Sequence, residues 1–171
     1  DRGSVNRMRA SDNADGPVIV TGASSGIGHA VCRRLAAVGR PIISVDIEEN
    51  PKEVAVEQHY ACDLNNESNV AELFTDLVED FDLSSVASLI NVAGVPGTQP
   101  ASKVFEVNVL AVRRFSRFVA SHLTAGGSIV NIGSISGNGW QQRIDTYRSL
   151  LQLDDDDARN WWGDTKTSVE I

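Results

Sequence analysis

A doubly wound, parallel α/β sheet is the fold this sequence predicts, and three observations predict it. Apolar runs of four to six residues alternate with stretches of helical periodicity, the pattern of successive βαβ units. The first run, Val18-Ile19-Val20-Thr21, leads into a glycine turn and then a helix start. The second, Pro41 to Val45, ends in a carboxylate, Asp46.

Taken in order, residues 1–16 form a polar tail expected to be flexible, with Met8 a candidate natural start and residues 1–7 an extension before it. One domain then fills 17–171, without an internal repeat or dividing linker. Strands are expected near 17–21, 41–46, 57–62, 87–92 and 128–133, and helices near 26–39, 67–80 and 101–124. In the first helix Ile27, Val31, Leu35 and Val38 recur on one face, and Gly39 ends it. Val70, Leu73, Phe74, Leu77 and Val78 make a second apolar stripe. Arg113, Arg114 and Arg117 read as a solvated face of the third helix. Right-handed crossovers give the strand order 3-2-1-4-5, with a ligand site at the carboxyl ends of the strands where the order reverses. After Gly137 the periodicity degrades. Residues 140–171 read as an irregular, insertion-like segment, Asp154 to Asp157 as a solvated loop, and Trp161-Trp162 either as a cap over a cleft or as packing.

Composition narrows the function. A hydrophobic share of 42% with 22% charged residues is that of a soluble globular chain. No apolar run approaches the roughly eighteen residues that span a bilayer. The formal charge of −8 argues against nucleic-acid binding, which needs a positive surface. Cys32, Cys62, His29, His59 and His122 lack metal-ligand spacing, so no metal site is expected and the histidines are given no role. Both thiols read as reduced, small buried residues. With no secretory signal to read, a cytoplasmic location is expected.

The segment from Val18 to Gly28 is a strand, a glycine turn and a helix start in succession, the arrangement that cradles a pyrophosphate. Glycines at 22, 26 and 28 allow a tight turn and close approach of a ligand to the main chain. The helix's unpaired N–H groups then face the phosphates, favoured by the helix dipole. This makes the predicted fold Rossmann-like. Asp46 lies eighteen residues beyond Gly28, at a strand end where an acid holds a ribose 2′-hydroxyl. Ile47, Glu48 and Glu49 follow, so no neighbouring cation receives a 2′-phosphate, and NAD is expected over NADP.

With these residues the chain resembles the short-chain dehydrogenase/reductase family over roughly residues 17–140. Thr21-Gly22-Ala23-Ser24-Ser25-Gly26-Ile27-Gly28 is similar to the family's cofactor loop, and Cys62-Asp63-Leu64 to the acid after the third strand that meets the adenine. Asn91-Val92-Ala93-Gly94 resembles the motif closing the fourth strand. Asn108 matches the helix asparagine of the catalytic tetrad, and Ser134 the catalytic serine. Within the family, Asn91 to Thr98 and the short run to Asn108 are most similar to a bacterial branch of coniferyl-alcohol and 3α-hydroxysteroid dehydrogenases.

The resemblance implies an alcohol dehydrogenase or ketone reductase that is a homo-oligomer at full length. Its substrate is a small alcohol or ketone. In such enzymes a tyrosine exchanges the proton with the substrate oxygen, assisted by a lysine four residues on. The serine donates a hydrogen bond to that oxygen, and the asparagine helps position a water leading to solvent. Tyr147 follows Ser134 at the family's separation of thirteen residues, yet Leu151 stands where the lysine belongs. Two readings follow. In one, Trp140 to Ile171 is an insertion and Tyr-x-x-x-Lys lies beyond Ile171, so the sheet is incomplete on its C-terminal side and this piece is inactive alone. In the other, Tyr147 is a remnant in a catalytically inactive NAD-binding protein.

Overall fold

Alternation of apolar side chains decides which face of each strand meets which helix. In the computed structural model, which describes residues 16–50, 53–81 and 86–166, Val18 and Val20 point to one face of the first strand and Ile19 to the other. The polar tail through residue 15, Met8 included, lies outside the described residues. The chain divides into two compact units, Asp1–Ile132 and Gly133–Ile171.

The first unit runs β1 (Val18–Thr21), α1 (Gly26–Ala37), β2 (Ile42–Asp46), β3 (Gln58–Ala61), α2 (Glu67–Asp80), β4 (Val86–Asn91), α3 (Ala101–Phe105), a π-helical segment (Glu106–Ala111), α4 (Val112–Ala120) and β5 (Leu123–Asn131). The five strands form one parallel sheet in the expected order, β3-β2-β1-β4-β5. Val18, Val20, Cys32, Ile42 and Val54 form the core beside α1. The larger core carries Ile19, Ile43, Val45 and Leu89 from the strands with Leu73, Leu77, Phe115 and Val119 from the helices. Each sheet face is thereby given its own apolar layer, as two-sided parallel sheets require. Both cysteines are free and buried, and burial raises each thiol to about 11.

Several expectations need correction. Ile27 in α1 and Val38 at its C-cap are exposed, and the helix meets the sheet through Gly28 and Cys32 with the expected Val31 and Leu35 partly buried against the same core, because the face that Gly28 leaves bare fits closest to β1. Val78 in α2 is likewise exposed. The third helix is not continuous over 101–124. It changes from α to π and back, and ends at Ala120, because the chain must turn into β5 at Leu123. β5 starts earlier than expected, since Leu123 pairs with Val86 and Ser128 with Ser88, which crowds extra β5 residues into a bulge. Arg114 is no solvated side chain: its guanidinium donates to Glu106 Oε1 at 2.6 Å and lies 3.5 Å from Glu67, with only 11% of its side chain exposed.

The second unit corrects the irregular segment. Short 3₁₀ turns at Ile135–Gly137 and Trp140–Arg143 lead into α5 (Ile144–Gln152) and α6 (Asp155–Lys166). The acidic run is a helix start rather than a loop. Asp154 accepts from the Asp157 N–H at 2.8 Å through its side chain, and Asp155, Asp156 and Asp157 occupy the first turn, where the dipole favours carboxylates. Trp161 and Trp162 lie within α6, each partly buried.

Phe115 is 1% exposed and meets Phe74 edge-on, with ring centroids 5.1 Å apart. Phe115→Ala is expected to cost about 3–5 kcal/mol of stability, read as a lowered urea midpoint.

Candidate functional site

At the carboxyl ends of the strands, where β1 parts β2 from β4, a cleft of about 280 Å³ opens. Its walls include Gly22 and Ser25 from the β1–α1 turn, Asp46, Ile47 and Glu48 after β2, and Cys62, Asp63 and Leu64 after β3. Ala93, Gly94 and Val95 after β4 close the opposite side, with Lys103 and Val107 from the third helical stretch. All these residues belong to the first unit.

The turn after β1 is tight because two glycines let backbone meet backbone. Gly22 has φ +67°, and a Cβ there would stand 2.7 Å from the Ala93 backbone. Gly28 is tighter still, since its Cβ would fall 1.9 Å from the Gly22 carbonyl oxygen. A Cβ at either place would collide with backbone. Ser25 is the N-cap of α1 without a capping bond from its side chain, so the first N–H groups of the helix stay open to a ligand. Gly26, with φ +52°, and Ile27 begin the helix, and Ile27 is exposed.

Asp46 fixes this turn from the side. Oδ2 accepts from the Ser24 N–H at 2.8 Å and Oδ1 from the Glu48 N–H at 3.0 Å. Each oxygen keeps a lone pair for another donor. The Ser24 hydroxyl is spent on the Glu48 carbonyl at 3.1 Å. Asp63 closes a turn by accepting from the Asn65 N–H at 2.9 Å, and Asn66 caps α2 by accepting from Ser68 and Asn69, which sets Asp63 and Leu64 at the cleft wall.

Two residues singled out in the sequence act inside the fold rather than on the cleft wall. The Thr21 hydroxyl accepts from the Val92 and Ala93 N–H groups, both at 3.2 Å, and joins the ends of β1 and β4. Asn91 donates to Asn131 Oδ1 at 2.8 Å and to the Ser116 hydroxyl at 3.2 Å, and is 4% exposed. Asn108 lies on the π-helical segment. Its side chain takes the Val95 N–H at 2.8 Å and gives to the Val95 carbonyl at 2.9 Å, holding the β4–α3 loop by both backbone groups.

Ser134 and Tyr147 belong to the second unit. The exposed Ser134 caps the turn at Ile135–Gly137, accepting from the Ser136 N–H at 3.2 Å. Tyr147 and Leu151 lie one turn apart on α5, 40% and 59% exposed. His59 and His122 make contacts within the fold: His59 Nδ1 lies 2.8 Å from the Ser44 hydroxyl, and His122 packs against Phe118. No group of metal-ligating side chains forms among the described residues. Nor is any described helix long and apolar enough to cross a membrane.

A glycine turn over a cleft at the reversal point of a parallel sheet defines a doubly wound α/β protein built to take a ligand at its strand ends. Residues 17–149 match the family model described as short chain dehydrogenase, and the chain belongs to that family. Coniferyl-alcohol dehydrogenase from Pseudomonas sp. (strain HR199 / DSM 7063) is 34% identical over 133 residues, which cover 78% of this chain and 49% of the relative. The bulky-bulky ketone specific alcohol dehydrogenase from Comamonas testosteroni has a similar fold with a TM-score of 0.59 and 30% identity, over 74% of this chain and 58% of that one. A 4-hydroxyisoleucine dehydrogenase solved with NADH and succinate gives a TM-score of 0.59 and 32% identity, over 70% of this chain and 59% of that one. The chain spans about half the length of the curated relatives it matches.

Lys103, Val95 and Val107 are cleft residues that sequence reasoning missed. The four-residue spacing of Lys103 and Val107 places them on one helix face, which was the available signal.

Gly28→Ala is expected to destabilise the fold by about 1–3 kcal/mol and to weaken adenine-dinucleotide binding. Gly97→Ala, where a Cβ meets nothing within 4 Å, should change neither. Urea unfolding and calorimetric titration of the two variants check this.

Proposed function

We propose that the chain is the cofactor-binding part of an NAD-dependent oxidoreductase that interconverts a secondary or aromatic alcohol and its carbonyl compound. The observation that carries the reading is Asp46, a carboxylate tied to the glycine turn through Ser24 and to its own strand end through Glu48. Held there, it offers its remaining lone pairs to a ribose 2′-hydroxyl and repels a 2′-phosphate. The backbone of Gly22, Ser24, Ser25, Gly26, Ile27 and Gly28 receives the diphosphate, with Thr21 bracing the turn. Asp63 and Leu64 take the adenine, while Asn91, Ala93 and Gly94 form the wall on the β4 side. When bound, nicotinamide supplies or accepts the hydride. Ser134 donates a hydrogen bond to the substrate oxygen, where charge develops. Asn108 holds the loop beside the cleft and helps position a water that leads protons to solvent. The proton itself is exchanged by a Tyr-x-x-x-Lys pair in sequence following Ile171. On the same reading the full-length protein is a cytoplasmic homo-oligomer, acting on a small alcohol or ketone and on neither nucleic acid nor membrane.

One observation favours a second reading. Leu151, a turn beyond Tyr147 on α5, offers no positive charge to assist proton transfer from the phenol. An NAD-binding protein without catalytic activity would carry such a pair as a remnant.

Asp46→Ala is expected to weaken NAD binding about tenfold, as loss of charge-assisted hydrogen bonds does, and to bring NADP close to NAD in affinity. Calorimetric titration with both cofactors measures this, and a parent protein that prefers NADP rejects the assignment.

Activity separates the two readings. NADH production from aromatic and steroidal alcohols should be negligible with residues 1–171 and appear when the natural downstream sequence is supplied, since acid–base catalysis contributes about 10² to 10⁴ in rate. In that active form Ser134→Ala should lower turnover by about 10² to 10³ while leaving NAD affinity unchanged. Comparable rates from both lengths would make Tyr147 the working acid, and silence from both would favour the inactive binder.

A further inference from the structure

The cleft is walled by three carboxylates, Asp46, Glu48 and Asp63, in a chain of formal charge −8. A dinucleotide brings a diphosphate with two further negative charges into it. The glycine turn from Thr21 to Gly28 contains no Lys or Arg, so its contribution is the partial charge of helix N–H groups. Among the described residues lining the cleft, one carries a full positive charge: Lys103.

Lys103 is placed there by the third helical stretch. It sits in α3 one turn before Val107, which lines the same cleft, so the two share a helix face. The loop before this helix is anchored where Asn108 clasps both backbone groups of Val95. Among the described residues no carboxylate pairs with the Lys103 ammonium. Of the three acids that share its cleft, Asp46 takes the Ser24 and Glu48 N–H groups and Asp63 takes that of Asn65. Arg114, by contrast, is paired with Glu106 at 2.6 Å. An unneutralised ammonium facing an acidic cleft is suited to an anion that arrives from solution.

We propose that Lys103 supplies the countercharge for the diphosphate of the bound dinucleotide. The inference rests on the nucleotide reading of the cleft and adds a residue to it. No basic residue stands at positions 47–49, yet Lys103 lines the same cleft from fifty-seven positions beyond Asp46. One added countercharge in a surface cleft of intermediate effective dielectric is worth about one power of ten in affinity for a dianion.

The test is calorimetric titration of the full chain with ADP-ribose and with adenosine, at low and high salt, in the parent, Lys103→Met and Lys103→Arg. The expected result is an ADP-ribose affinity about tenfold weaker in Lys103→Met, with a flatter salt dependence. Adenosine affinity should be unchanged, and Lys103→Arg should behave like the parent. A parent that binds ADP-ribose as tightly as Lys103→Met does overturns the inference while leaving the nucleotide reading intact. Equal losses for adenosine and ADP-ribose also overturn it, because adenosine carries no phosphate. A parent that binds neither ligand overturns the nucleotide reading and the inference together.

Discussion

The contact between the first turn of α1 and the carbonyl of Gly22 sets the position of nearly everything around the cleft. Because a Cβ on Gly28 would stand 1.9 Å from that oxygen, only glycine lets the helix start this close to β1. The closeness is transmitted in two directions. On one side Gly22 lies against Ala93, and the Thr21 hydroxyl collects the Val92 and Ala93 N–H groups, so the ends of β1 and β4 are locked to each other. On the other, the Gly22 N–H reaches the Val45 carbonyl at 2.8 Å and Ser24 reaches Asp46, which ties the turn to β2. A bulkier residue at 28 would lift the helix start and loosen both ties.

The elements whose cause is local were legible in the sequence. Strand positions, the order β3-β2-β1-β4-β5 and the glycine turn follow from periodicity, crossover handedness and glycine spacing, each read within one βαβ unit. What escaped depends on partners distant in sequence. Arg114 reads as a surface charge until α2 brings Glu67 and the start of the π-helical segment brings Glu106, and the three residues then form a partly buried ionic cluster. Lys103 reads as an ordinary helix lysine until β2 and β3 present their acids to the same space. Asn91 was legible as a motif residue but not in its use, since its amide bonds to Ser116 and Asn131, twenty-five and forty positions away.

A different error accounts for the second unit. Four adjacent acids and few apolar repeats suggest a solvated loop, because charge repulsion opposes a compact segment. The repulsion is relieved by place as well as by pairing. At a helix N-terminus the open N–H groups and the dipole favour carboxylates, and Asp154 turns inward to accept from Asp157 while Arg159 donates to Asp156 at 2.6 Å. The same residues in the middle of a helix would oppose it. Composition therefore misled where position within the element decides the sign.

The two units also differ in how far their candidate site residues are committed before any ligand arrives. Around the cleft, Asp46, Thr21, Asn108 and Asp63 are each fixed by hydrogen bonds to backbone groups, so a nucleotide meets a surround already ordered and the protein gives up little conformational freedom in binding it. Ser134 is exposed and bonds to Ser136, two residues away, while Tyr147 is exposed on α5. Such local bonding fixes a turn without fixing a reacting geometry, which in catalysis must be held to a fraction of an ångström. Binding and chemistry thus make unequal demands on this chain. Hydrogen bonds to backbone groups already order the candidate residues around the cleft within residues 18–108, whereas Ser134 is held by a local bond and Tyr147 is exposed.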